Sequence, residues 1–120
     1  MANLKDSLDK LQEIDGFVGA AVVDSNSGMM LGSQGGGSIN LEVAAAGNTE
    51  VVRSKTRVMA QLKLNDSIED ILITLGKQYH LIRPVASKEG LFVYLVLDRA
   101  KANLAMGRHR LAEVEGTLTV

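Results

Sequence analysis

The sequence contains no cysteine and no tryptophan, and it has a single proline among its 120 residues. Without cysteine, the chain cannot form disulfides, zinc–thiolate sites or a thiol nucleophile. Small secreted domains are often stabilised by disulfides, so this absence favours a cytoplasmic location. The longest apolar stretch, residues 91–97, is far shorter than the roughly 20 residues that a transmembrane helix needs, so we expect no membrane insertion.

Aromatic residues are also scarce, and there is no excess of positive charge. Phenylalanine and tyrosine together make up 3% of the chain, and the formal net charge is −1. Nucleic-acid binding normally depends on a basic excess, and binding of single strands also uses aromatic stacking. The chain offers neither, so we expect no nucleic-acid partner. Arg53, Lys55 and Arg57 are spread around a predicted helix, which favours a solvated face.

The remaining composition is that of an ordinary globular protein, with 46% hydrophobic and 22% charged residues. Its length fits one domain, which we expect to span residues 1–120 with a core at about 4–115. Hydrophobic spacing predicts helices at 4–14, 39–63 and 99–115, and strands at 17–25, from Met29 onward, and at 67–75, 78–85 and 91–97. The predicted order is therefore α-β-β-α-β-β-β-α.

Residues that end or begin the helices follow from the same pattern. Ser38 or Asn40 is the expected N-cap of the long helix, and Asp98 is the expected N-cap of the last one. The segment GSQGGGS, residues 32–38, is predicted to be a glycine-rich loop. Gly107 is expected to weaken the last helix, because glycine in a helix interior costs about 1 kcal/mol relative to alanine.

Two strands carry apolar side chains on both faces, which predicts that they lie in the middle of a sheet covered on both sides. These strands are residues 17–25 and 91–97. Short connections indicate a hairpin followed by a three-strand meander, all antiparallel. The predicted fold is therefore an α/β (α+β) domain with helices on both faces of a five-stranded sheet of order 2-1-5-4-3.

The strand at 67–75 is too apolar to be left as a freely exposed edge. An exposed edge of this kind favours pairing with another chain, because its backbone hydrogen-bonding groups are open on one side. A second copy that paired with this strand would form one continuous sheet. The residues predicted to form this dimer interface are Ile68, Asp70, Ile71, Leu72 and Ile73.

The long helix has two apolar lines instead of one. The first line contains Leu41, Ala45, Asn48, Val52, Met59 and Leu62, and the second contains Val43, Gly47, Val51, Ser54 and Val58. Because an ordinary amphipathic helix serves one surface, two lines indicate contact with the sheet and with a partner. The predicted interface residues on the helix are Ala45, Asn48, Val52, Lys55 and Met59. The small residues could instead serve only to seat the helix on its own sheet.

Four segments of the chain, taken with the order of elements, are typical of a known family: GFVGAAVVDSNSGMMLG (16–32), INLEVAAAGNTEVVRSK (39–55), EDILITLGKQYHLIRP (69–84) and LFVYLVLDRAKANLAMGRHRL (91–111). In these segments the chain resembles the Roadblock/dynein light chain family, a profilin-like fold whose bacterial members include proteins encoded near Ras-like GTPases. The resemblance implies a homodimer whose central helices pack together and whose third strands join. It also implies a scaffold or regulator of a small GTPase, or a subunit of a larger assembly.

No pattern of catalytic or cofactor-binding residues accompanies these segments. GSQGGGS lacks the spacing and the Lys-Ser/Thr of a phosphate-binding loop. His80 and His109 are far apart in the sequence, so we predict no metal site. We expect no catalytic residues, no cofactor and no enzymatic activity. An alternative function is small-molecule sensing, with a ligand pocket between the sheet and a helix.

Overall fold

The computed structural model describes residues 2–120 and contains the predicted order of elements. The helices are α1 (Leu4–Gln12), α2 (Leu41–Gln61) and α3 (Leu104–Thr117), and the strands are β1 (Phe17–Asp24), β2 (Met29–Gly35), β3 (Ile71–Thr74), β4 (Gln78–Pro84) and β5 (Leu91–Asp98). The strands form one sheet of order β2-β1-β5-β4-β3, and every pair of neighbours is antiparallel. The predicted fold class and strand order are confirmed.

The two strands predicted to be central, β1 and β5, are hydrogen-bonded neighbours inside the sheet. Their side chains alternate between two separate cores, as the pleat requires. One core joins the sheet to α1 and α3 through residues such as Leu11, Val93 and Leu111. The other joins the sheet to α2 through residues such as Ala45 and Phe92. Helices therefore cover both faces, and α2 alone packs on the second face.

The segment predicted to be a glycine-rich loop, residues 32–38, is only partly a loop. Its first four residues belong to β2, which ends at Gly35. The strand pairs with β1 up to the partners Gly19 and Gly35. A Cβ atom on Gly19 would lie 2.8 Å from the backbone of Gly36, so the two chain segments approach too closely for any side chain. The left-handed φ of 121° at Gly36 then turns the chain towards α2.

The helix boundaries select one of the two caps expected for α2 and correct the cap expected for α3. The N-cap of α2 is Asn40, whose side chain accepts hydrogen bonds from two backbone N–H groups of the first turn. Asp98 does not begin α3, since its carboxylate accepts a hydrogen bond from the N–H of Ala100 and closes a turn. The N-cap lies five residues later, at Asn103, and the helix begins at Leu104. Within residues 2–120, no helix is long and apolar enough to cross a membrane.

Candidate interaction surface

The edge of the sheet formed by β3 is short, apolar and open on one side. Within the described residues, β3 pairs with β4 and has no strand beside its other edge. Ile71 packs against the core beneath α2, whereas Leu72 packs against the core on the α1–α3 side. Ile73 pairs with His80 of β4, and all three apolar side chains are half-buried. The outermost strand of the sheet therefore carries apolar side chains on both of its faces.

The predicted strand 67–75 is shorter in the structure because its first part is used for contacts within the chain. Asp70 accepts hydrogen bonds from Arg108 of α3 at 2.7 to 3.1 Å, and Arg83 lies 3.9 Å from the same carboxylate. Arg83 also donates to Glu115 at 2.8 Å. Asp70 therefore holds the start of β3 against α3, and its expected position at the dimer interface stays a prediction. Ile68 lies just before this anchor and is half-buried.

The two apolar lines of α2 face different surroundings. Leu41 and Ala45 from the first line are buried against the sheet. From the second line, Val43 is 67% exposed and Val58 is 39% exposed. A Cβ atom on Gly47 would meet no atom within 4 Å in the described chain. Val43, Gly47 and Val58 of the second line therefore face outward, whereas Val51 of the same line packs against the core.

This arrangement corrects part of the expected helix interface. Ala45 is fully buried in the chain's own core, so its side chain has no exposed surface to offer a partner. Asn48, Val52 and Met59 are half-buried at the flank of α2, and Lys55 is exposed. Sequence spacing shows that two lines exist, but it does not show which one the sheet covers.

A shallow groove lies between the first half of α2 and the strands β4 and β5, next to the β3 edge. We call it the His80 groove, and its lining residues are Ile39, Asn40, Val43, Ala44, Gly47, Asn48, His80 and Tyr94. Tyr94 Oη lies 2.9 Å from His80 Nδ1, and His80 Nε2 lies 2.8 Å from Gln78 Oε1. The Gln78 oxygen is an acceptor, so Nε2 carries the hydrogen and Nδ1 accepts from the Tyr94 hydroxyl.

Burial shifts the titration of both ring systems in the His80 groove. Burial lowers the pKa of His80, because desolvation disfavours the charged imidazolium. Burial also raises the pKa of Tyr94, and a hydrogen bond with Asn48 acts in the opposite direction. Both groups are therefore neutral near pH 7. The residue pattern around His80 raises only the question of a metal ligand, whereas its pairing with Tyr94 arises from the register of β4 and β5.

A second, larger groove of about 700 Å³ lies between the last half of α2 and the end of the sheet where β3 begins. We call it the α2-end groove. Its apolar lining includes Val52, Met59, Leu64, Ile68 and Phe92. Three residues predicted to form the interface, Val52, Met59 and Ile68, thus meet here and do not line the His80 groove. The residues predicted to form the interface therefore do not all lie in one groove.

The opposite edge of the sheet, formed by β2, has different properties. Its pairing with β1 is interrupted between Val22 and Val23, where Leu31 is the additional residue of a bulge. Bulges twist an edge and disfavour the addition of another strand. The last four residues of β2 include Gly32 and Gly35, and Gly36 follows the strand. These glycines carry no side chain to support pairing. The β3 edge has no interruption in its register with β4.

Clusters of metal ligands are not part of this surface. Within residues 2–120, no three histidine, cysteine, aspartate or glutamate side chains lie close enough together to hold a metal ion. His80 lies on β4, and His109 is exposed on α3, on the other face of the sheet. The arrangement offers apolar edges and hydrogen-bonding groups, which are features of a binding surface.

Comparison with known proteins identifies the fold. No protein-family model matches the sequence, and neither does any curated protein sequence. Among solved structures, Myxococcus xanthus MglB matches with a TM-score of 0.79 and 16% identity over 92% of this chain and 86% of that chain. A Roadblock/LC7 domain from Streptomyces avermitilis matches with a TM-score of 0.80 and 11% identity over 95% and 92%.

A further MglB structure, described as having a tetrameric arrangement, has a TM-score of 0.80 and 15% identity over 93% of this chain and 82% of that chain. The chain therefore has the Roadblock fold, as the sequence resemblance implies. At these identities the likeness concerns the fold.

Proposed function

We propose that this chain is a non-catalytic scaffold or regulator that forms a homodimer and, as a dimer, binds a small Ras-like GTPase or a larger assembly. The observation that carries the proposal is the β3 edge, which is apolar on both faces and unpaired within the described residues. A second copy that joined there would satisfy the open backbone groups and cover Ile73 and its neighbours. The GTPase part of the proposal is supported by the family resemblance of the sequence.

The outward face of α2 supports the same association. Val43 and Val58 are exposed apolar residues, and Gly47 lies between them without a side chain. A helix from a second copy could approach the backbone closely at this glycine. The β2 edge is the competing site for self-association, and its bulge and glycines make it the poorer one.

The test of self-association compares one charge placed on each edge of the sheet. Ile73→Asp puts a carboxylate on the β3 edge, and Leu31→Asp puts the same group on the β2 edge, where Leu31 is 43% exposed. Light scattering coupled to size exclusion should give a dimer for the wild type and for Leu31→Asp. Ile73→Asp should give a monomer whose circular dichroism remains that of the folded chain.

A dimer of unchanged stability from Ile73→Asp would place the interface elsewhere. Binding to a GTPase is tested separately, by pull-down with Ras-like GTPases encoded near this chain and loaded with GDP or a GTP analogue. Capture in one nucleotide state would support a regulator, whereas no capture in either state would remove the GTPase part and leave the dimer.

The α2-end groove favours a second candidate function, which is the sensing of a small molecule. Its volume of about 700 Å³ lies within the range of roughly 300–1,000 Å³ that is typical of ligand pockets. A thermal-shift screen tests this candidate, and Met59→Trp, which fills the groove, should abolish any stabilisation found. A screen that finds no stabilising compound would reject this candidate.

A further inference from the structure

The ring of His80 lies one strand from the edge that the proposed dimer uses. It pairs in register with Ile73 of β3, and neighbouring strands are about 4.8 Å apart. The ring lines the groove beneath the first half of α2, the helix that the proposed dimer also uses. His80 is only half-buried in the single chain, so part of its surface remains exposed. A second copy could cover this part.

The neutral ring already has a partner for each nitrogen. Nε2 donates to Gln78 and Nδ1 accepts from the Tyr94 hydroxyl, at 2.8 and 2.9 Å. Protonation of Nδ1 would turn this acceptor into a donor, so the Tyr94 hydroxyl would have to reorient. The groove therefore suits the neutral imidazole and disfavours the imidazolium.

The residues that line the groove offer no negative charge to a protonated ring. The lining contributed by α2 and by the residues before it consists of Ile39, Asn40, Val43, Ala44, Gly47 and Asn48, none of which titrates. Gln78 lies on the same strand as His80, and the neighbouring strands contribute Ile73, Tyr94 and Val96, of which only Tyr94 titrates. Asp98 of β5 pairs with Gln78 on the same face, but it does not line the groove and it accepts a hydrogen bond from the N–H of Ala100. Glu42 and Glu50 of α2 are exposed and are not among the lining residues.

We propose that His80 makes the association of two copies depend on pH, so that protonation of its ring weakens the dimer as the pH falls. This inference rests on the proposed homodimer. Burial within one chain already lowers the pKa of His80, and the cover of a second copy would lower it further. Above both pKa values the ring is neutral in monomer and dimer, and association does not depend on pH. Below the monomer value, the monomer takes up a proton that the dimer resists, which favours dissociation.

The size of the effect follows from this linkage. For each unit by which the second copy lowers the pKa, the dissociation constant rises up to about tenfold per histidine, and a symmetric dimer contains two of them. We expect the dissociation constant to rise as the pH is lowered from about 7.5 through the pKa of His80 in the monomer. Sedimentation equilibrium of the full chain over a concentration series measures this rise.

Two variants provide the comparison. His80→Gln keeps a hydrogen-bonding side chain without a titrating ring and should remove the pH dependence. His109→Gln removes the exposed histidine on the opposite face and should keep it. A wild-type dimer whose dissociation constant is flat, or falls, at low pH would overturn the inference and leave the homodimer intact. A His80→Gln dimer with the wild-type pH dependence would also overturn it. A monomer at about pH 7.5 would overturn the homodimer and the inference together.

A direct titration covers the case in which His80→Gln folds poorly. The imidazole signals of His80 can be followed by nuclear magnetic resonance in wild-type samples at a dilute and a concentrated protein level. His80 should titrate at lower pH in the concentrated, dimeric sample. The same titration midpoint at both concentrations would overturn the inference.

Discussion

Gly107 in the middle of α3 provides a test in which helix propensity and packing predict opposite results. In an exposed helix interior, alanine is more stable than glycine by about 1 kcal/mol, so Gly107→Ala should stabilise the chain if propensity decides. The structure indicates the reverse. A Cβ atom at this position would lie 2.7 Å from Leu97 Cδ1, well inside the usual carbon–carbon contact of about 3.5–4.0 Å.

Leu97 cannot easily move away from this contact, because it is fully buried in the core. Overpacking of a core by one methyl group typically costs about 1–3 kcal/mol. Subtracting the propensity gain of about 1 kcal/mol leaves a net loss of about 0–2 kcal/mol for Gly107→Ala. Glycine at this position is therefore required by the packing of α3 on the sheet.

Gly116 on the same helix is the matched control, because a Cβ atom there would meet no atom within 4 Å in the described chain. Gly116→Ala should raise the free energy of unfolding by about 0.5 kcal/mol. Urea unfolding followed by circular dichroism at one fixed protein concentration measures both variants, with the slope of the transition unchanged. If Gly107→Ala stabilised the chain as much as Gly116→Ala does, the argument from packing would be refuted.

Two further predictions concern the ends of α2 and the anchor of β3. Asn40→Ala should lower the free energy of unfolding by about 1 kcal/mol through loss of the N-cap, whereas Ser38→Ala should change it by less than about 0.5 kcal/mol. Equal losses from the two variants would contradict the cap assignment. Glu115→Gln should cost about 1–3 kcal/mol, because its carboxylate is 9% exposed and accepts a hydrogen bond from Arg83. The exposed Glu113→Gln on the same helix should cost less than about 0.5 kcal/mol in the same urea assay, and a similar loss from both would contradict the role of the anchor.

The candidate surface was only partly predictable from the sequence. The apolar edge at Ile71 to Ile73 is visible in the residue pattern, because a strand that is apolar on both faces needs cover on both sides. The role of Asp70 is not, since its partners Arg83 and Arg108 are distant in sequence and meet it only through the sheet and α3. Likewise, the pattern of α2 indicates two faces, but packing alone assigns Ala45 to the core.

The sequence by itself determined the order of the elements, the central position of β1 and β5, and the strand order of the sheet. These properties depend on local propensity and on the period of apolar residues, which are written along the chain. Tertiary structure alone decided that α3 begins after Asn103, why Gly107 and Gly19 must be glycine, and that His80 meets Tyr94. Each of these depends on atoms from strands or helices far apart in sequence, and their distances are set only when the sheet register and the helix packing are complete.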